Sequence, residues 1–248
     1  MTDLLGKTAL VTGGSRGIGA AIVRRLARDG ADVAFTYVSP AGKAKAQEVV
    51  ADVEAQGRRA VAIQSDAEDP DAVRDAVDRA ARELGRLDIL VNNAGVWASG
   101  PFEEVTRAEL DRVLAIHARA AFVGSQAASA HLPEGGRIVS IGSNLALQAP
   151  FPGIVLYSMS KSALSGFTKA LARELGPRGI TVNAVHPGST DTDMNPADGE
   201  SADLQRGLSA LGRYAHADDM AAMVAHLVGP GGRSITGAEF TVDGGTNA

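Results

Sequence analysis

Short apolar runs alternate along the whole chain with longer stretches in which apolar residues recur every three or four positions. The runs Thr8–Thr12, Val33–Tyr37, Ala60–Gln64, Ile89–Asn92, Arg137–Ile141, Thr181–Val185 and Glu239–Val242 predict strands. Ala20–Asp29, Val73–Leu84, Glu109–Ala130 and Leu156–Leu175 carry the helical period, and Asp69-Pro70 offers a cap and first-turn proline to the second of these. Runs that are apolar on both faces and separated by helices imply a buried parallel sheet. The fold expected is therefore α/β, a doubly wound parallel sheet of about seven strands of the Rossmann type. No linker-like change in composition interrupts the alternation, so one domain spanning 1–248 is expected. The polar stretch Ser189–Gly212 breaks the rhythm after the sixth strand, where a long loop suits a lid over a substrate site.

Composition narrows the chemistry. The 248 residues contain no cysteine, which excludes a disulfide scaffold, a thiolate nucleophile and Cys-ligated metal. The five histidines show no spacing with carboxylates that would build a metal site, so none is expected. A net charge of −5 argues against a nucleic-acid partner. No window approaches the roughly 18 uninterrupted apolar residues of a membrane span. The opening MTDLLGKTALVTGG lacks a basic region ahead of an apolar stretch, so no secretory leader and a cytoplasmic location are expected. Glycine, at 29 residues, is in excess.

Part of that excess is concentrated in Thr12-Gly13-Gly14-Ser15-Arg16-Gly17-Ile18-Gly19, between the first strand and the first helix. A backbone that turns sharply there can approach a pyrophosphate, which the free N–H groups and positive end of the helix then hold. In dinucleotide folds a carboxylate ending the second strand binds the adenosine ribose and repels a 2′-phosphate. Here that strand ends in Tyr37, followed by Val38 and Ser39; Arg16 and Ser39 could both receive a phosphate, and a guanidinium fork suits one well. NADP(H) is thus preferred as cofactor, with NAD(H) possible.

Tyr157 and Lys161 lie four residues apart, one turn apart on one helix face. An ammonium about 5 Å from a phenol, at an effective dielectric near 20, favours the phenolate by roughly 3 kcal/mol, about two pKa units. The spacing therefore serves proton transfer. Ser143, at the end of the fifth strand, can donate a hydrogen bond to a developing alkoxide, whereas Ser140 should point the other way.

Together TGGSRGIG, Asn92-Asn93-Ala94-Gly95 and Tyr157-x3-Lys161, in that order, resemble the short-chain dehydrogenase/reductase family, and the resemblance covers Leu5 to Gly245. It implies Tyr157 as acid/base, Lys161 as its tuner and as holder of the nicotinamide ribose, and Ser143 as the orienting donor. It implies cofactor contacts from Gly13, Ser15, Arg16, Gly17, Ile18, Gly19, Tyr37, Ser39, Asp66, Ala67, Asn93, Ala94 and Gly95. Pro187, Gly188, Thr190 and Thr192 would meet the nicotinamide carboxamide edge. Asp66 could equally be a loop cap. Where the family carries an asparagine that holds a water in the proton relay, this chain has His117. Either the imidazole substitutes, adding an ionisation near neutral pH, or the relay is degraded. His131, His186, His216 and His226 read as ordinary surface or packing residues, and Trp97 as either a substrate wall or simple packing.

The resemblance implies hydride transfer to a small-molecule carbonyl substrate and a homotetramer built on the two long helices. A narrower alternative is a 3-oxoacyl-[acyl carrier protein] reductase; the segment Val96–Gly100 and the absence of a basic cluster around His131-Leu132-Pro133 disfavour it. An alternative of another class is a dinucleotide-binding regulatory protein without turnover, for which His117 is the one favouring feature.

Overall fold

The computed structural model describes residues 3–248, so the first two positions of the expected domain lie outside the described residues. The strands are β1 (Thr8–Val11), β2 (Asp32–Tyr37), β3 (Ala60–Gln64), β4 (Ile89–Asn92), β5 (Arg137–Ile141), β6 (Thr181–Pro187) and β7 (Glu239–Val242). All pair in parallel, in the order β3-β2-β1-β4-β5-β6-β7. The chain builds outward from β1 to β3, then returns to build from β4 to β7. The carboxyl ends of β1 and β4 consequently diverge, which is where such sheets place ligands.

Side chains alternate across this sheet, and both faces are covered. Ala9, Val11, Val33, Phe35, Val91, Val139 and Val185 join one core with α1 (Gly17–Arg28), α2 (Lys43–Glu54) and α8 (Ala217–Val228). Leu10, Ala34, Leu90, Ile138 and Val182 join a second core with α3 (Pro70–Leu84), α5 (Ala120–Ser129) and α6 (Val155–Leu175). Two buried faces explain why the strands look like uninterrupted apolar runs. At the start of α3 the Asp69 carboxylate accepts from Asp71 N at 2.9 Å and Ala72 N at 3.3 Å, as its cap-proline signature predicts.

Several elements differ from expectation, among them helices α2 and α8, for which no range was expected. The helix expected over Glu109–Ala130 is α4 (Arg107–Leu114), a π turn at Ala115–Arg119, and α5. The expected lid contains a short helix, α7 (Ala202–Leu208), and its Gln205 amide bonds Asn195 and Ser189 across the loop. Among the described residues no helix is long and apolar enough to cross a membrane.

Candidate active site

A cleft of about 980 Å³ opens over the diverging ends of β1 and β4. Every residue assigned above to cofactor or catalysis lines it except Ser39, and Val38 lines it instead. The 3₁₀ turn Pro40–Gly42 begins immediately after Ser39 and carries the chain away, which displaces that expectation.

The glycine loop is held by polar latches. Thr12 Oγ1 accepts from Asn93 N at 2.9 Å and Ala94 N at 3.0 Å, while Asn93 Nδ2 donates to Thr12 O and Gly13 O. Gly13 N donates to Thr36 Oγ1 at 2.9 Å. A Cβ on Gly19 would stand 2.2 Å from Gly13 O, so only glycine allows the loop and helix to touch. Arg16 precedes α1 without a side-chain cap, and the first turn holds no acidic residue. The end of α1 thus presents uncapped N–H groups to the cleft, and these residues fit a pyrophosphate. At the edge of the cleft, a hydrogen bond from the lid-facing Lys45, together with the nearby Arg16, holds Asp193 below the usual carboxylate range. Asp66 accepts from Glu68 N at 2.9 Å, so it does act as a loop cap while lining the cleft.

Helix α6 brings Tyr157 and Lys161 to the carboxyl end of β5, beside Ser143. Ser140 faces elsewhere, within reach of Asn92 Nδ2. Lys161 is 4% exposed and donates to Ile141 O at 3.0 Å, the one protein acceptor found for its three donors among the described residues. That leaves it able to hold a ribose diol. Burial pushes it down to about 8. Burial likewise raises the Tyr157 phenol, and the Ser143 hydroxyl only partly opposes this. The phenol thus lies above its ordinary value rather than below it, because loss of water outweighs the Ser143 hydrogen bond.

For His117 two readings stand open, a substitute for the relay asparagine or a degraded relay. The His117 Nε2 accepts from Val96 N at 3.0 Å, which puts the proton of the neutral ring on Nδ1, 2.8 Å from Ser160 Oγ. Ser160 in turn donates to Tyr157 O at 2.7 Å. A neutral imidazole has one donor and one acceptor, and both are used within the protein. Burial, aided by repulsion from Lys161, pushes His117 down to about 3. It braces the Gly95–Val96 turn and the backbone of Tyr157, rather than holding a relay water or titrating near neutrality.

Trp97 resolves to a wall: it is 45% exposed and its ring centroid lies 4.7 Å from that of Tyr157. Sequence reasoning missed Thr12 and Thr36, whose partners are backbone atoms, and also His186. The imidazole of His186 is fully buried against Ser143, and a Cβ on Gly142 would stand 2.4 Å from its Nδ1.

A nucleotide cleft at the switch point of a parallel sheet, with a buried lysine and a tyrosine on one helix, defines a Rossmann-type oxidoreductase. A family model described as "Enoyl-(Acyl carrier protein) reductase" matches residues 13–247. The chain is 62% identical to a short-chain dehydrogenase from Burkholderia cenocepacia crystallised with NADP, covering 99% of this chain and 100% of that one with a TM-score of 0.97. It is 46% identical, over the full length of both, to a cyclic-di-GMP-binding biofilm dispersal mediator protein of Escherichia coli. A hydroxynaphthalene reductase-like protein of Metarhizium brunneum is 39% identical over 98% of this chain and 96% of its own. The chain belongs to the short-chain dehydrogenase/reductase family.

Proposed function

We propose that the chain is an NADPH-dependent reductase of uncharged, apolar ketones, yielding secondary alcohols. The observation that carries this reading is the convergence of Ser143, Tyr157 and Lys161 on one cleft, beside the uncapped start of α1. When bound, reduced nicotinamide supplies the hydride. The first turn of α1 holds the pyrophosphate, and Lys161 holds the ribose beside it. Tyr157 gives its phenolic proton to the carbonyl oxygen; a pKa raised by burial keeps that proton in place at neutral pH and suits the direction of reduction. Ser143 orients the same oxygen through its hydroxyl.

Specificity for the phosphorylated cofactor rests on the absence of a carboxylate after β2 and on Arg16 with Lys45 nearby. Charge-assisted hydrogen bonds contribute about 1.5–3 kcal/mol. Arg16→Ala is thus expected to raise KM for NADPH by about tenfold or more, with little change for NADH. Equal effects on both cofactors in initial-rate measurements would remove Arg16 from phosphate recognition.

The outer wall of the cleft, with Trp97, Leu145, Phe151, Met194 and Leu204, is apolar, and the acidic Glu200 lies among these residues. Such a wall favours bulky neutral ketones over anionic thioesters, and the hydroxynaphthalene reductase-like relative fits the same chemistry. The loop 189–212, several of whose residues line the cleft, would cover the substrate. The exposed Phe122, beside Phe167 on the α5–α6 face, supports a homotetramer built on these helices.

A second reading, as a regulatory protein without turnover, is favoured by the resemblance to the cyclic-di-GMP-binding mediator. Following NADPH consumption with aryl ketones, aliphatic ketones and a β-ketoacyl thioester separates the readings. Aryl ketones are expected to give the highest kcat/KM. A thioester preference would point to acyl-carrier chemistry, and NADPH binding without turnover to the regulatory role.

A further inference from the structure

The face of α6 that carries Tyr157 and Lys161 continues, at the same four-residue spacing, through Ser165 and Lys169. These two residues leave the cleft and grip Glu239 of β7. Lys169 Nζ lies 2.7 Å from Glu239 Oε1, and Ser165 donates to Oε2. Burial alone would push the Glu239 carboxyl up, but Lys169 and Ser165 together hold it below the usual range. Its Oε2 also lies 3.0 Å from His186 Nε2. An ionised carboxylate at that distance keeps a proton on Nε2. The opposite nitrogen, Nδ1, faces Ser143: it is 3.2 Å from Ser143 N and 2.9 Å from Ser143 O. The neutral ring accepts from the N–H, and the imidazolium donates to the carbonyl, so the ring holds the Ser143 backbone in either state.

The location gives this contact its meaning. The ladder between β5 and β6 continues one step beyond β5, with Gly142 N donating to Val185 O at 2.8 Å. At Ser143 the chain turns out of the sheet, and the imidazole takes over as the ladder's last partner. Gly142 is the residue that makes room, since any Cβ there would collide with the ring. Gly142 and Ser143 line the cleft, but Ser165, Lys169, His186 and Glu239 do not, so neither His186 nor Glu239 meets the substrate.

We infer that His186 and Glu239 are positioning residues that lock the backbone of Ser143 to the helix bearing Tyr157 and Lys161, so that the two groups meeting the carbonyl oxygen move as one unit. The inference rests on the ketone-reductase reading for its catalytic consequence, though not for the contact itself. Misplacing a reacting group by about 1 Å costs on the order of a hundredfold in rate.

Two measurements on the full chain test it. The first, amide hydrogen exchange of the 142–145 segment, needs no turnover. His186→Leu should speed exchange at Ser143 at least tenfold, whereas Glu239→Gln, whose amide oxygen still accepts from Nε2, should leave it near wild type. The second is a cycle on kcat for NADPH-dependent ketone reduction. His186→Leu should lower kcat about ten- to a hundredfold with KM for NADPH unchanged, yet should cost less than about threefold when added to Ser143→Ala. Should His186→Leu not fold, Glu239→Leu takes its place in both measurements. Unchanged exchange, or equal losses of kcat in the two backgrounds, overturns the inference. If the wild-type enzyme reduces no ketone, the functional reading fails and exchange alone decides whether the dyad holds Ser143.

Discussion

Tyr157→Phe is expected to lower kcat for ketone reduction by about 10²–10⁴, the range supplied by a positioned general acid. The effect should be chemical rather than structural. The ring packs against Trp97 at 4.7 Å and meets His117 edge-on at 5.6 Å, and phenylalanine keeps both contacts. NADPH affinity and thermal midpoint should consequently stay close to wild type. The wild-type pH profile carries a matching signature. Lys161, pushed down to about 8, loses its positive charge as pH rises through that value, so kcat/KM should fall on the alkaline side. His117, pushed down to about 3, should add no limb near neutrality. A Tyr157→Phe enzyme with a tenth or more of wild-type kcat in stopped-flow assays would remove the tyrosine from proton transfer.

The second large effect concerns the cofactor loop. In Gly19→Ala the added methyl would stand 2.2 Å from Gly13 O and 2.5 Å from Asn93 Nδ2, two atoms already bonded to one another. Gly13 O is main chain, and Asn93 Nδ2 is pinned by hydrogen bonds to Thr12 O and Gly13 O, so α1 has to move away from the loop. Overpacking of this kind costs about 1–3 kcal/mol. The larger loss should appear in binding, because the N–H groups that face the anion are displaced together. NADPH affinity, read by fluorescence titration, should fall by about a hundredfold or more. A variant that binds NADPH within threefold of wild type would show that the contact between loop and helix is not what shapes the anion seat.

Much of this site is visible in the residues because glycine, tyrosine and lysine carry their chemistry in their own spacing. Gly13, Gly17 and Gly19 follow a strand and open a helix, and four residues separate Tyr157 from Lys161. The sheet is equally plain, since strands buried on both faces leave runs that no amphipathic helix produces. What escapes is whatever depends on backbone partners or on the loss of water. The roles of Thr12, His117 and His186 are set by main-chain atoms of other elements, which no side-chain pattern records. The direction of the Tyr157 shift depends on how much water reaches the phenol, and that is a property of the assembled cleft. Helix α2 was not among the expected helices because only Ala46, Val49 and Val53 of its twelve residues are buried, too thin a stripe to stand out. The π turn is hidden inside Ala-Ile-His-Ala-Arg-Ala-Ala, where small residues on every side erase the helical period.

That turn makes one rod answer to two addresses. A straight α-helix advances about 100° per residue, and a π turn accommodates roughly one residue more than such a helix would. The surplus shifts the phase between α4 and α5. Before it, Val113 packs on Leu156 under the cleft; after it, Ser125 reaches Asn92 at the end of β4. His117, at the centre of the widened turn, is aimed at Val96, where an unbroken spiral would impose a single orientation on everything downstream. The floor of the cleft and the sheet behind it are thus kept in register by an insertion of one amino acid's worth of rotation.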